Sequence, residues 1–177
     1  MVRRVKKTQT EILSELLKNS KQSDRELARK VGVSQPTVSR IRSRLEKEGY
    51  IKEYTVIPNF SKLGYKIMAF TFARSQPLDK KAAEETRKIF KDSMKNTPFQ
   101  FVMLERGIGL GFDAVILSLH RDYSSYLEVL KWLRQFAFLE LDKIGSFLIN
   151  LDDEVHYQPF TFSRLAEDFA KQTEKGE

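Results

Sequence analysis

The 177-residue chain contains no cysteine and only two histidines. Without cysteine there is neither a disulfide nor a thiolate metal site, and a reducing cytosol is the expected compartment. His120 and His156 have no cysteine to pair with, and no Ser/His/Asp arrangement is suggested by spacing. No catalytic constellation is therefore legible, and no enzyme activity, metal or cofactor is expected. No apolar run approaches the roughly 20 residues of a membrane span. The N-terminus lacks an apolar signal segment, so neither a membrane partner nor a secretory address is expected.

What is present is charge, unevenly placed. Residues 1–58 hold 14 Lys and Arg against 7 Asp and Glu, whereas residues 59–177 hold 17 of each. The whole net charge of +7 thus falls on the first third of the chain. Such asymmetry predicts a basic module that meets a polyanion, joined to a neutral module with another task. A hydrophobic content of 41% is enough for both to bury a core.

The basic third carries helix signals in close succession. Thr8-Gln9-Thr10-Glu11 has the form of a capping box, and Ile12, Leu13, Leu16 and Leu17 continue as an apolar stripe to about Lys18. Ser23-Asp24-Arg25-Glu26 is a second capping box, opening a short helix with Leu27, Ala28 and Val31 turned inward. Gly32 suits the positive φ that ends this helix. Ser34 is a good N-cap for a third helix, and Pro36 is tolerated in its first turn.

On a helical wheel Val38, Ile41 and Leu45 of that third helix share one side. Pro36, Ser39, Arg40, Ser43 and Lys47 point away, with Gln35, Thr37, Arg42 and Arg44 on the flanks. An ordinary amphipathic surface helix explains the stripe, but not two successive capped helices joined by a glycine turn. The pattern predicts a helix-turn-helix that reads double-stranded DNA. Short polar side chains near a helix N-terminus suit base edges in the major groove, and long basic ones suit phosphates. Gln35, Thr37, Ser39 and Arg40 are the base-edge candidates, with Ser34, Pro36 and Ser43 on the same helix face or cap. Arg42, Arg44, Lys47 and Lys52 are the phosphate candidates. Gly49-Tyr50-Ile51, followed by Lys52 to Pro58, reads as the strand and wing of a winged helix. Tyr54 is a further phosphate candidate there, as is the basic arm Val2 to Lys7.

Past a linker at 59–65 the pattern changes. Lys66 to Arg74, Phe99 to Glu105, Asp113 to His120 and Ile144 to Leu151 read as strands. Asp79 to Lys95 reads as a helix with Ala83, Thr86, Ile89, Phe90 and Met94 inward, and a second helix runs from a cap at Asp122 to about Ala137. The order βαββαβ is ferredoxin-like. The expected fold is therefore α+β, with a winged helix-turn-helix at 1–58, a ferredoxin-like domain at 66–151 and an extension at 152–177. In the first strand Met68, Phe70 and Phe72 fall on one side and Ile67, Ala69 and Ala73 on the other. Two helices cover one face of a four-stranded sheet, so the other face predicts a partner, most simply a second copy of the chain. A dimer also suits reading a palindrome.

Other features are weaker. Gly107-Ile108-Gly109-Leu110-Gly111 joins two strands with no helix after it, so a hairpin turn is a better reading than a phosphate loop. Asp152-Asp153-Glu154 with His156 reads as an acidic loop rather than a metal site. The last helix, with Leu165, Ala166, Phe169 and Ala170, is expected to pack on a dimer partner or on the linker.

The winged helix-turn-helix, the segment Glu48-Gly49-Tyr50-Ile51-Lys52-Glu53-Tyr54, the pair Leu63-Gly64 and the βαββαβ order together resemble the feast/famine (Lrp/AsnC) regulators over residues 8–151. The resemblance implies a transcription regulator whose second domain dimerises through its sheet, assembles further into octamers or open assemblies, and binds an amino acid between subunits. It implies an effector site near the family's Gly–Asp signature, which here is stretched to Gly107, Gly109, Gly111 and Asp113. A second departure is the order Ile41-Arg42, reversed from the family's usual Arg-then-aliphatic pair. The alternative reading is a nucleoid-type architectural protein that coats DNA with low specificity.

Overall fold

The computed structural model describes residues 7–155, 158 and 160–174. Residues 2–6 of the basic arm and His156 lie outside that set. The chain divides into two compact units, the first running to Ile57 and rejoined by the C-terminal helix, the second beginning at Pro58.

The first unit contains α1 (Lys7–Lys18), α2 (Asp24–Val31) and α3 (Gln35–Lys47). Lys7 is already helical, so Thr8 sits inside the first turn rather than capping it. The second capping box forms as expected. The backbone N–H of Glu26 donates to Ser23 Oγ at 3.2 Å, and the N–H of Ser23 donates to Glu26 Oε2 at 2.7 Å. The latter bond holds the Glu26 carboxyl below the usual carboxylate range. Gly32 ends α2 at φ 73, donating its N–H to the carbonyl of Ala28. A Cβ there would meet nothing within 4 Å, so the left-handed backbone alone asks for glycine.

Ile12, Leu27, Val38 and Leu45, one or more from each helix, are completely buried against one another, with Ile41 and Val31 packed alongside. Burying side chains of this size stabilises by about 1.5–3 kcal/mol each. This core holds the three helices at a fixed mutual angle.

After α3, Gly49 takes φ 75 and both Tyr50 and Ile51 donate backbone N–H groups to the carbonyl of Leu45. The strand expected next is not formed: residues 51–59 carry no helix or strand. Among the described residues of this unit there is no strand to complete a ladder, and side chains hold the segment instead. Tyr54 donates to Glu46 Oε1 at 2.8 Å, and Ser20 Oγ donates to the carbonyl of Thr55 at 3.4 Å.

The C-terminal helix, α6 (Ser163–Glu174), belongs to this same unit. It packs on α1. Ala166 is fully buried, and Ser14 Oγ donates to its carbonyl at 2.7 Å.

The second unit is built from β1 (Ile67–Ser75), α4 (Lys80–Lys95), β2 (Gln100–Gly109), β3 (Phe112–His120), α5 (Tyr123–Leu133) and β4 (Leu139–Asn150). Its sheet has the order β2-β3-β1-β4, with every neighbouring pair antiparallel. This is the expected ferredoxin-like arrangement. β2 runs on to Gly109, so Gly107 and Gly109 lie in the strand. The turn shrinks to Leu110 and Gly111, with φ 53 and 79, the two positive values a tight hairpin asks for.

Helix α5 stops at Leu133 rather than near Ala137, and β4 starts at Leu139, well before Ile144. Aromatic packing is the reason. Phe136 and Phe138 turn back onto Phe90 at centroid distances of 5.1 and 6.1 Å, and Trp132 lies 5.5 Å from the same ring. The early part of β4 then pairs through a bulge that sets Ser75 opposite Leu139. Phe90 carries the contact of α4, whereas Ile89, expected inward, is 59% exposed.

The sheet's two faces differ. Ala69, Thr71 and Ala73 are buried on the helix side. The alternate residues Met68, Phe70 and Phe72 are only half-buried. Phe70 stands opposite Leu117 of β3 and Phe147 of β4, and Phe147 is 65% exposed. Among the described residues of this unit, an apolar face therefore remains partly uncovered.

Candidate nucleic-acid interface

The site is α3 and what fixes it. Ser34 caps the helix, accepting from the N–H of Thr37 at 3.4 Å, and its hydroxyl lies 2.9 Å from Thr37 Oγ1. Pro36 sits in the first turn, where no N–H is needed. Val38 and Leu45 anchor the helix from beneath. Gln35, Pro36, Ser39, Arg40, Ser43, Arg44 and Lys47 are then all exposed along the outer side. Thr37 is half-buried, its hydroxyl engaged with the cap.

This outer row has the chemistry that base edges ask for. A glutamine amide, serine hydroxyls and a guanidinium stand on one rigid helix, with no competing ion pair at Arg40 among the described residues. Arg44 lies 3.9 Å from Glu48 and stays about half exposed. Lys47 and Lys52 are exposed at the C-terminal end of α3 and just after it. Lys21, Arg25 and Arg29 are further exposed cations of the unit. The charge asymmetry counted them, but a wheel drawn for one helix could not.

Arg42 does something else. Its Nε lies 2.9 Å from Asp24 Oδ1, an ion pair whose N–H is not aligned as a hydrogen bond. Its other arm donates to the carbonyl of Gln22 at 3.0 Å. The guanidinium also stands over the Tyr54 ring, 5.9 Å from its centroid. Gln22 in turn donates its side-chain amide to the carbonyls of Glu15 and Asn19. Arg42 thus clips α3 to the start of α2, its guanidinium engaged by Asp24, the Gln22 carbonyl and the Tyr54 ring. Tyr54 is likewise held to α3, and burial with the Glu46 carboxylate raises its pKa.

In the second unit, Gly107, Gly109, Gly111 and Asp113 gather at one end of the β2–β3 hairpin. The Asp113 carboxylate is taken up by β1, accepting from the N–H of Ser75 at 2.9 Å and from its hydroxyl at 3.3 Å. Among the described residues no group of three or more His, Cys, Asp or Glu could hold a metal ion. No helix among them is long and apolar enough to cross a membrane.

Comparison with known proteins agrees with this geometry. A family model described as winged helix-turn-helix DNA-binding matches residues 6–52. The regulator LrpA of Pyrococcus horikoshii is 32% identical over 91 residues, covering 51% of this chain and 58% of that one. An uncharacterised HTH-type transcriptional regulator of Pyrococcus furiosus is 34% identical over 87 residues, covering 47% of this chain and 58% of that one. The chain thus spans less than two thirds of these curated relatives. Among solved structures, LrpC of Bacillus subtilis superposes with a TM-score of 0.69 at 22% identity, over 88% of this chain and all of that one. A transcriptional regulator of Neisseria meningitidis, solved as a complex with L-methionine, gives 0.70 at 19% identity, over 92% and 99%.

Fold and site together define a helix-turn-helix, matched by a winged helix-turn-helix family model, joined to a ferredoxin-like domain. The resemblance read from the sequence is borne out in the fold: the chain has the two-domain architecture of the Lrp/AsnC regulators.

Proposed function

We propose that this chain is a sequence-specific, DNA-binding transcription regulator that works as a homodimer and assembles further. The observation that carries the reading is the exposed row Gln35, Ser39, Arg40 and Ser43 on a capped, firmly anchored α3. Gln35, Ser39 and Arg40 read base edges, with Thr37 assisting from the cap. Arg44, Lys47 and Lys52 neutralise phosphates. The uncovered face of Met68, Phe70, Phe72 and Phe147 meets its own copy, which gives the reader its two-fold symmetry. Similarity to proteins named as transcriptional regulators supports the same reading.

Selection of bound fragments from genomic DNA, followed by footprinting against competitor DNA, tests it. The expected result is a discrete protected palindrome. Uniform coating without a preferred sequence would instead favour the architectural alternative.

An amino acid is the proposed effector, supported by the L-methionine complex of the Neisseria meningitidis structure. The hairpin end with Gly107, Gly109, Gly111 and Asp113 is its proposed site. A thermal-shift titration with each of the twenty amino acids checks this. No shift with any of them would leave a regulator without such an effector.

A further inference from the structure

The feature that the proposed function does not use is α6. Three helices suffice for a helix-turn-helix, yet here α1 is buried on an additional side. Gln9, Thr10 and Ser14 are all buried, and none belongs to the apolar core of the three helices. Thr10 and Ser14 are four residues apart and so share a face of the helix. Ser14 reaches the main-chain carbonyl of Ala166 directly, at 2.7 Å. A side chain as short as serine bonds to another helix's backbone only where the two helices approach closely, and the alanine methyl permits that approach. The carbonyl has a second lone pair for this hydroxyl beyond the one serving its own helix. Phe169 and Ala170 of α6 are half-buried as well.

The topology gives this contact its consequence. The first unit takes α1, α2 and α3 from before Ile57 and α6 from after the second unit. Two covalent connections therefore join the reader to the sheet unit, where a plain helix-turn-helix followed by a second domain has one. A single flexible linker of ten residues allows an end-to-end excursion of roughly 17 Å. A second tether must satisfy its own closure at the same time, and the orientations open to both are far fewer.

We propose that α6 is a positioning element for the DNA reader: seated on α1 through Ala166 and Ser14, it ties the reader to the sheet unit a second time and so narrows the set of half-site spacings that the dimer accepts. The proposal rests on the homodimeric DNA-reading function argued above. Ala166 touches no DNA in this scheme and acts through the placement of α3.

The test uses the full chain. Because it contains no cysteine, Lys21→Cys, at an exposed position of the reader, gives a single labelling site. Time-resolved fluorescence anisotropy of the label then follows the reader's motion without any DNA. The expected result is one slow tumbling component in the parent, with a fast component added by Ala166→Glu, which forces a carboxylate into the closed contact. On duplexes whose two half-sites are moved apart in single base-pair steps, the parent should prefer one spacing at least tenfold. Ala166→Glu should flatten that preference to within about threefold while binding an isolated half-site as before.

Because Ala166→Glu can also weaken the fold, a second variant carries a specific protease site between Asp153 and Phe160. Cutting it severs the tether without altering the contact, and the same flattening is expected. A spacing preference unchanged by the cut, with no fast component, would overturn the proposal and leave α6 a purely structural helix. A chain that binds no duplex at all would overturn the DNA-reading function, while the anisotropy decay would still decide the tether.

Discussion

Arg42 lies on α3, the helix proposed to read DNA, yet its guanidinium is 2.9 Å from Asp24 of the preceding helix. The pair sits at the joint between α2 and α3 and is only about a fifth to a quarter exposed. It follows that Arg42→Ala loosens the reader rather than deleting a DNA contact. A charge-assisted bond to the Gln22 carbonyl and a partly screened ion pair are lost together, about 1–2 kcal/mol. Thermal unfolding should show this loss, Asp24→Ala should show a smaller one, and the double variant should be less than additive. An unchanged melting temperature with weakened DNA binding would return Arg42 to the phosphates.

Arg40 and Lys47 should separate by the kind of contact they make. Arg40→Ala is expected to weaken the cognate site more than random DNA, by about 1–3 kcal/mol of discrimination. Lys47→Ala is expected to weaken both equally and to lower the log–log salt slope by about 0.9. Binding isotherms at several salt concentrations check both, and equal losses on both DNAs would move Arg40 to the backbone class.

Phe147 stands across from Phe70 on the uncovered sheet face. Phe147→Asp places a charge in the middle of that face, where a dimer would have to desolvate it. Light scattering coupled to gel filtration should then report monomers at concentrations where the parent is dimeric, with the sheet unit still folded by circular dichroism. A dimer that persists would place the interface elsewhere.

His120 gives a pH dependence whose sign is fixed by burial. The ring is buried beneath α5, edge-on to Tyr126 at 5.6 Å, with Nε2 2.8 Å from Ser118 Oγ. Burial pushes its pKa below the ordinary histidine value, outweighing the Ser125 and Asp122 contributions that raise it. The unfolded chain therefore binds more protons than the folded one in the interval between the two values. Stability is complete above the unfolded value of about 6.5 and is lost as pH falls through the depressed folded one. Chemical denaturation from pH 8 to pH 5 should show that decline, and His120→Asn should flatten it.

Much of this molecule is legible in its residues, and the boundary of legibility has physical causes. Ser23, Glu26, Gly32 and Ser34 act locally, each on atoms a few positions away, so their roles are visible in sequence and recur in the structure. The βαββαβ order is also local in origin, since each element carries its own periodicity. Contacts distant in sequence decide the features that local pattern does not carry. Helix α5 ends early because Phe136 and Phe138 serve Phe90. Arg42 belongs to Asp24, and a wheel drawn for α3 alone has no place for α2. Helix α6 seats on a residue 152 positions away, a partner no pattern within either helix could name. The exposed row on α3 was legible for a complementary reason. It is what remains once the apolar stripe is taken inward, and nothing remote rearranges it.

The return of α6 to α1 also sets an order of events in synthesis. The first three helices emerge from the ribosome well before Ser163, with about 100 residues of the second unit still to be made. At 5–20 residues per second, the nascent reader spends roughly 5–20 s with Ser14 and its neighbours wet. A helical unit completed by α6 matures only after the whole of the second unit has been made.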